Sequence, residues 1–470
     1  MSDDAEPDAD AAPPRAGIEH RLSRLIQLDT VSATVAAQGP AAFEELLAEL
    51  YPLMHARLLK EKIGERGIVF RWSGGEEGLH ADRRARSSRP AEPRAESQPL
   101  VLMAHFDTVP TGEPSRWAHP PLSGLIEDGV VHGRGAIDDK GALVVLLDAV
   151  ENLLAAGAEP SRPVIISLGG DEETYGDAAR TIADELHARG IRPWLVLDEG
   201  GAVIDGPLPG LAHETAVIGV SEKGVLSVRM SATSAPGHSS TPSRTPSAPE
   251  RIAKAITHLR KNPFPKRLDD TAKQLFGAYR GTADTTAGKA ITALVPRLGP
   301  LAARVFSALG GEPAAMVQTT VATTVLDGGT AHNVIPESAG AVLNLRIAPG
   351  ETIESSLAVL RRAVRDPGIV FEVIEGHDPS PSSRTDSPQW QAIADAVRGA
   401  YPGVVVAPYV MLAASDARHF HRYTRDATYR LSPLRMSRAE RAALHGIDEQ
   451  VTLDALVRGE RFYRALLMTS

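Results

Sequence analysis

Three apolar runs of strand length, PLVLMA at Pro99 to Ala104, PVIISLGG at Pro163 to Gly170 and PWLVLDEG at Pro193 to Gly200, alternate with segments of helical period at Lys140 to Ala156 and Tyr175 to Gly190. Continuous apolar strands are buried on both faces, and strand–helix–strand alternation predicts an α/β fold with a mostly parallel sheet and helices on both faces. Each run leads into acid or imidazole: HFDTV from His105, DEETYG from Asp171 and DEGG from Asp198. Open α/β sheets hold their ligands past the C-terminal ends of their strands, which is where these side chains fall.

Two more segments join the set, GRGAIDDKG with Asp138 and Asp139, and LHG with His445. Histidine with several carboxylates suits a hard to borderline divalent cation, and a chain with no cysteine offers no thiolate in competition. Residues two apart in a strand face the same way, so His105 and Asp107 share a cavity, one as ligand and the other orienting it. Adjacent residues point apart, so Asp138 and Asp139, and Glu172 and Glu173, divide their roles. For each motif alone the plainer reading is a solvated acidic loop or a helix N-terminus; together they predict a metal-dependent hydrolase.

From about Ser221 the rhythm changes. VLSVRMSAT at Val225 to Thr233 and AVLNLRI at Ala341 to Ile347 alternate polar and apolar residues, as in an antiparallel sheet with one exposed side. With helices expected at Pro249 to Lys261 and Thr352 to Val364, this reads as an inserted α+β lid or dimerisation domain. The α/β pattern then resumes with VFEVIEG, a helix over Pro388 to Ala400, VVVAPYV and a last helix ending near Met468. The expected organisation is a disordered tail at 1–15, a catalytic domain at 16–220 and 351–470, and the lid at 221–350. A Pro-, Ser- and charge-rich stretch from Gly74 to Gln98 reads as a surface loop.

At 470 residues and 43% hydrophobic content the chain can bury a large core, and no repeat of fixed period argues for a solenoid. Its formal charge of −9 gives no reason to expect nucleic acid or an anionic membrane as partner. The acidic, Ala- and Pro-rich start is unlike a secretory signal, and the lack of cysteine fits a reducing compartment, so a cytoplasmic location is expected. No apolar stretch reaches the ~20 residues that span a bilayer.

HFDTVP, GRGAIDDKG, DEETYG, DEGG, GHSS, HNVIP and LHG, in this order and spacing, resemble the co-catalytic di-zinc peptidases, which include aminoacylases, carboxypeptidase S, carboxypeptidase G, acetylornithine deacetylase and succinyl-diaminopimelate desuccinylase. The likeness runs from about Ile18 to the end. SLGGDEETYG, VLDEGG, VSEKG and GHSSTP point to the branch holding carboxypeptidase S and the N-fatty-acyl-amino-acid hydrolases. The resemblance implies that His105, Asp138, Glu173, Asp198 and His445 bind two Zn2+, with Mn2+ or Co2+ as substitutes and Asp138 as the bridge. It implies a cis Asp138–Asp139 peptide, Asp107 orienting His105, and Glu172 as the general base acting on a water shared by the ions. His238 in PGHSS would stabilise the oxyanion. Arg346, with Asn333, would bind a free α-carboxylate, and Asp416 and Arg418 would form a further substrate-side loop.

The implied substrate is a small peptide, cleaved by a dipeptidase or carboxypeptidase, or else an N-acyl amino acid. A non-catalytic metal-binding protein is the contrasting reading, and Glu172, a carboxylate of no use to a metal store, speaks against it. The apolar helical stretch from Thr285 to Val317 either lines a pocket for an acyl chain or packs on the lid sheet. The lid either joins a homodimer, lending His238 to the neighbouring site, or serves within one chain.

Overall fold

In the computed structural model, residues 15–73, 98–174, 176–206, 213–282 and 285–469 are described, so most of the expected tail and of the Gly74 to Gln98 loop lies outside the described residues. The chain divides into two units, one formed by Met1–Gly219, Ser383–Ala407 and Ser415–Ser470, the other by Val220–Ser382 and Pro408–Ala414.

In the first unit the three apolar runs form neighbouring strands. Val164–Gly169, Leu100–His105, Leu195–Asp198 and Thr428–Arg430 lie side by side and run parallel, as the α/β fold expected from sequence requires. Gly67–Trp72 and Leu59–Ile63 extend one edge antiparallel. Val164–Gly169 and Leu100–His105 are buried at every position. Val101, Met103, Ile165 and Val196 pack against Ala179, Ile182 and Leu186 of the helix Asp177–Ala188. Strand alternation turns Leu100 and Leu102 to the other face. The helix Lys140–Ala155, buried from Lys140 through Leu154, packs against that strand, and Leu453–Leu467 packs against the helix.

The second unit carries a four-stranded antiparallel sheet in the order Thr320–Gly328, Ser338–Ile347, Gly224–Thr233, Val370–His377. Leu343, Leu345 and Ile347 are buried under the helices Ala248–Leu259 and Ile353–Val364, whereas Val342, Asn344 and Arg346 are only partly covered. This unit runs to Ser382 instead of ending at Gly350. The reason is the pairing of Val370–His377 with Gly224–Thr233, Val225 opposite His377 and Ser231 opposite Val370. The helices Thr286–Leu294 and Gly299–Leu309 form an added layer, with Ala302 and Ala303 buried and Phe306 stacked 5.6 Å from Phe276 of the helix Asp270–Ala278.

Candidate active site

Parallel pairing puts His105, last residue of its strand, level with Gly169, so the turn carrying Glu172 and Glu173 starts beside it. Asp198 closes the next strand. Asp138 and Asp139, joined by a cis peptide bond, lie just before the helix Lys140–Ala155.

Asp138 stands between two imidazoles. His105 Nε2 is 3.0 Å from its Oδ1, and His445 Nε2, 307 residues along the chain, is 3.0 Å from its Oδ2. Glu173 Oε2 lies 3.3 Å from His445 Nε2, and ligand atoms of His105, Asp138 and Glu173 all fall within 4.8 Å of one another. Asp198 is buried and close enough for the charges on His105 and Asp139 to be felt; its Oδ2 accepts the Ala417 backbone N–H at 2.6 Å.

Asp107 works more through its surroundings than through a single bond. Its backbone oxygen is 3.0 Å from His105 Nδ1, while its carboxylate oxygen is 3.4 Å away. An Nδ1–H donated to the carbonyl leaves the Nε2 lone pair facing Asp138, the tautomer a metal ligand needs. The Asp107 carboxylate accepts the Ser32 hydroxyl at 2.8 Å and the backbone N–H groups of Glu172 and Glu173 at 3.1 and 3.3 Å. It thereby fixes the turn that presents both glutamates.

Motif reading missed Glu449. This fully buried carboxylate accepts the N–H groups of Ile137 at 2.8 Å and Asp138 at 3.0 Å on one oxygen. On the other it accepts Gly135 N–H at 3.0 Å and Arg134 Nη1 at 2.7 Å. It grips the backbone that aims Asp138. Its one sequence signal is position, four residues past His445 in LHGIDE. Ser32 and Glu199 were missed as well; Glu199 belongs to the acidic cluster, since burial and the charges of Asp138 and Glu172 push its carboxyl well up.

The electrostatics show a site with too much negative charge for its own side chains. Burial, with Asp138 and Asp198, raises Asp139 well above the carboxylate range; burial, with Asp416, Glu173 and Asp138, does the same to Glu172. Burial would lower His105, but Asp107 and Asp138 hold it well above its ordinary value. Burial would raise Asp138, but His105 and His445 hold it down, and its partner His445 is pushed up to about 10 by Asp138 and Glu173. Protons thus take the place of cations. A buried Glu173 Oε1 with no hydrogen-bond partner among the described residues, together with this histidine–carboxylate donor set, fits divalent ions.

Asp416 joins the cluster from a separate loop. Burial and Asp198 raise its carboxyl to about 8, against the pull of Arg418. It packs so tightly on the glutamate turn that a Cβ at Gly176, where φ is +63°, would sit 1.7 Å from Asp416 Oδ1. Arg418 Nη1 donates to the Ser415 carbonyl at 2.6 Å.

Within the second unit, His238 and Asn333 come together. Gly237–His238 pairs with Val334–Ile335, and Ser239 N–H donates to the Asn333 carbonyl at 3.1 Å. His238 is exposed, with Nδ1 2.7 Å from Ser240 Oγ. Arg346 is partly buried, its guanidinium pKa lowered by burial, and among the described residues no carboxylate pairs with it.

The model of peptidase family M20/M25/M40 matches residues 101–469. The chain belongs to this family. It is 32% identical over 431 residues to probable carboxypeptidase S-like 2 of Dictyostelium discoideum, covering 90% of this chain and 78% of that one. It is 33% identical over 458 residues to the N-fatty-acyl-amino acid synthase/hydrolase PM20D1.1 of Danio rerio, covering 95% and 84%. The fold is similar to that of the M20 family metallo-carboxypeptidase Sso-CP2 from Sulfolobus solfataricus, with a TM-score of 0.66 at 18% identity over 96% of this chain and 99% of the other. It is also similar to human carnosine dipeptidase 1, with a TM-score of 0.64 at 13% identity over 97% and 99%. This M20 chain is a metal-dependent hydrolase of amide bonds, an enzyme and not a metal store.

Proposed function

We propose that this M20 enzyme binds two divalent ions, zinc in the first instance, through His105, Asp138, Glu173, Asp198 and His445, and cleaves the amide bond of small substrates that keep a free α-carboxylate. The observation carrying this reading is Asp138 with one imidazole at each carboxylate oxygen, the disposition of a ligand shared between two ions. Divalent ions held by these residues would supply Lewis acidity, lowering the pKa of a bound water toward neutrality and polarising a carbonyl. Glu172, adjacent to a ligand but engaged by no hydrogen bond to its own carboxyl among the described residues, takes the water's proton and passes it to the leaving amine. An amine leaves far more readily than an amide anion, so this transfer completes the cleavage.

Arg346 and Asn333 are assigned to the substrate α-carboxylate, a role supported by a partly buried guanidinium without an anionic partner among the described residues. His238 is assigned to the oxyanion, and Asp416 with Arg418 to the substrate side of the cluster. A homodimer through the second unit belongs to the same proposal.

The principal reading is a dipeptidase or carboxypeptidase. A second, N-acyl-amino-acid hydrolysis, is favoured by the 33% identity to the N-fatty-acyl-amino acid synthase/hydrolase. The test is a panel of a leucine-containing dipeptide, an N-acetyl amino acid and an N-oleoyl amino acid, assayed after chelation and after reloading with Zn2+, Mn2+ or Co2+. Metal-restored turnover of at least one free-carboxylate substrate, lost when that carboxylate is amidated, is expected. Equal turnover of amidated substrates overturns the assignment.

A further inference from the structure

The added helices of the second unit leave an apolar stripe uncovered. Leu294, Leu298, Leu301, Val305 and Leu309 are exposed at 50, 46, 56, 50 and 68%. Leu301, Val305 and Leu309 stand at the four-residue spacing of one face of the helix Gly299–Leu309, Leu298 precedes that helix and Leu294 closes the helix Thr286–Leu294. The stripe passes through the turn between the helices Thr286–Leu294 and Gly299–Leu309, because Leu298 N–H donates to the Leu294 carbonyl at 2.8 Å and Leu301 N–H to the Leu298 carbonyl at 2.9 Å. The opposite side, with Thr292 and Ala303, is buried. Folding has therefore already used the other face.

Within the stretch Thr285 to Gly311 the charged residues are of one sign, with Glu312 just beyond it. Lys289, Arg297 and Arg304 are exposed, and no acidic residue occurs from Thr285 to Gly311. Among the described residues none of the three forms an ion pair; Arg297 Nη1 donates to the Ala293 carbonyl at 2.9 Å. A chain of formal charge −9 thus carries, in the same stretch as its exposed leucines, three cations with no ion pair among the described residues. An apolar stripe flanked by unpaired Lys and Arg is the chemistry of a helix lying in the interface of an anionic bilayer, where the aliphatic side chains enter the acyl boundary and the cations meet the headgroups. No described helix is long and apolar enough to cross a membrane, so the contact is peripheral.

We propose that the Thr286–Leu309 segment docks this enzyme on anionic lipid surfaces. The patch departs from the expectation that overall charge sets for membranes, because headgroup attraction acts over about a Debye length and is governed by local charge. The test is co-sedimentation of the full chain with vesicles of phosphatidylcholine alone or mixed with phosphatidylglycerol, at low and high salt. Binding is expected only to the mixed vesicles and weakened by salt. The triple variant Leu298→Gln, Leu301→Gln, Val305→Gln should lower partitioning about tenfold, and Arg297→Glu with Arg304→Glu should remove the preference for phosphatidylglycerol. Both variants should keep the circular dichroism and the soluble-dipeptide turnover of the parent. No vesicle binding by the parent, or binding untouched by the triple variant, overturns the proposal. So does a concentration-dependent dimer, without vesicle binding, that the triple variant abolishes, since that stripe would then lie between two copies of the chain.

Discussion

The two units treat polar and apolar groups in opposite ways. In the first, charge is buried and held: Glu449 accepts four hydrogen bonds, Asp107 three, and Asp138 meets an imidazole on each oxygen. In the second, Arg346 is partly buried with no carboxylate paired to it among the described residues, and a row of leucines faces outward. Buried charge is tolerated only when paired or bound to a metal, so the first unit is preorganised for ions. Unsatisfied groups are what a binding site keeps in reserve, and among the described residues both units have them, Glu173 Oε1 in the first and the Arg346 guanidinium in the second.

The largest effect should come from chemistry without binding. Glu172→Gln is expected to lower kcat about 10²–10⁴-fold while leaving metal content unchanged; turnover near the parent rate would remove Glu172 as the base. Next is the support of the bridge. Glu449→Gln keeps the shape but exchanges one acceptor oxygen for an NH2 donor, leaving either the Ile137 and Asp138 N–H groups or Gly135 N–H and Arg134 facing a donor, and should weaken metal affinity about 10–100-fold in a competition titration with a chelator. Unchanged affinity would mean that the backbone holds Asp138 unaided. Arg346→Lys sharpens the contrast, because it keeps the charge and loses the fork: KM should rise about tenfold with kcat nearly constant.

The smallest effect is one of stability. His421 is buried, its Nε2 2.9 Å from the Arg425 carbonyl and 3.2 Å from Ser383 Oγ, and burial with Arg430 lowers its pKa from 6.5 to about 3. The unfolded chain takes up a proton below 6.5 that the folded chain refuses until about 3, so this contribution is complete above 6.5 and lost as the pH falls toward 3. Urea unfolding should show about 2 kcal/mol less of it at pH 5 than at pH 7, a difference that His421→Gln removes. An equal pH slope in the variant would show that His421 is not the source.

The strand ends were legible because an apolar run breaking into acid marks both a buried parallel strand and its C-terminal edge, as at His105 and Asp198. His445 was legible only through the motif likeness, since nothing local in LHG says that it meets Asp138. Glu449 escaped because its role lies in hydrogen bonds to backbone N–H groups over 300 residues away, which no side-chain pattern records. The unit boundary was set too early because VFEVIEG has the apolar content of a strand of either sheet, and only its partner decides. The helical period of Thr285 to Val317 was plain, but period alone does not tell which face a neighbour will cover.

The most direct test of the shared carboxylate is metal stoichiometry per chain after loading and exhaustive buffer exchange, for the parent and for Asp138→Asn. Two ions in the parent and retention of neither in the variant are predicted. A single ion in the parent, or a variant that still holds two, would contradict the account.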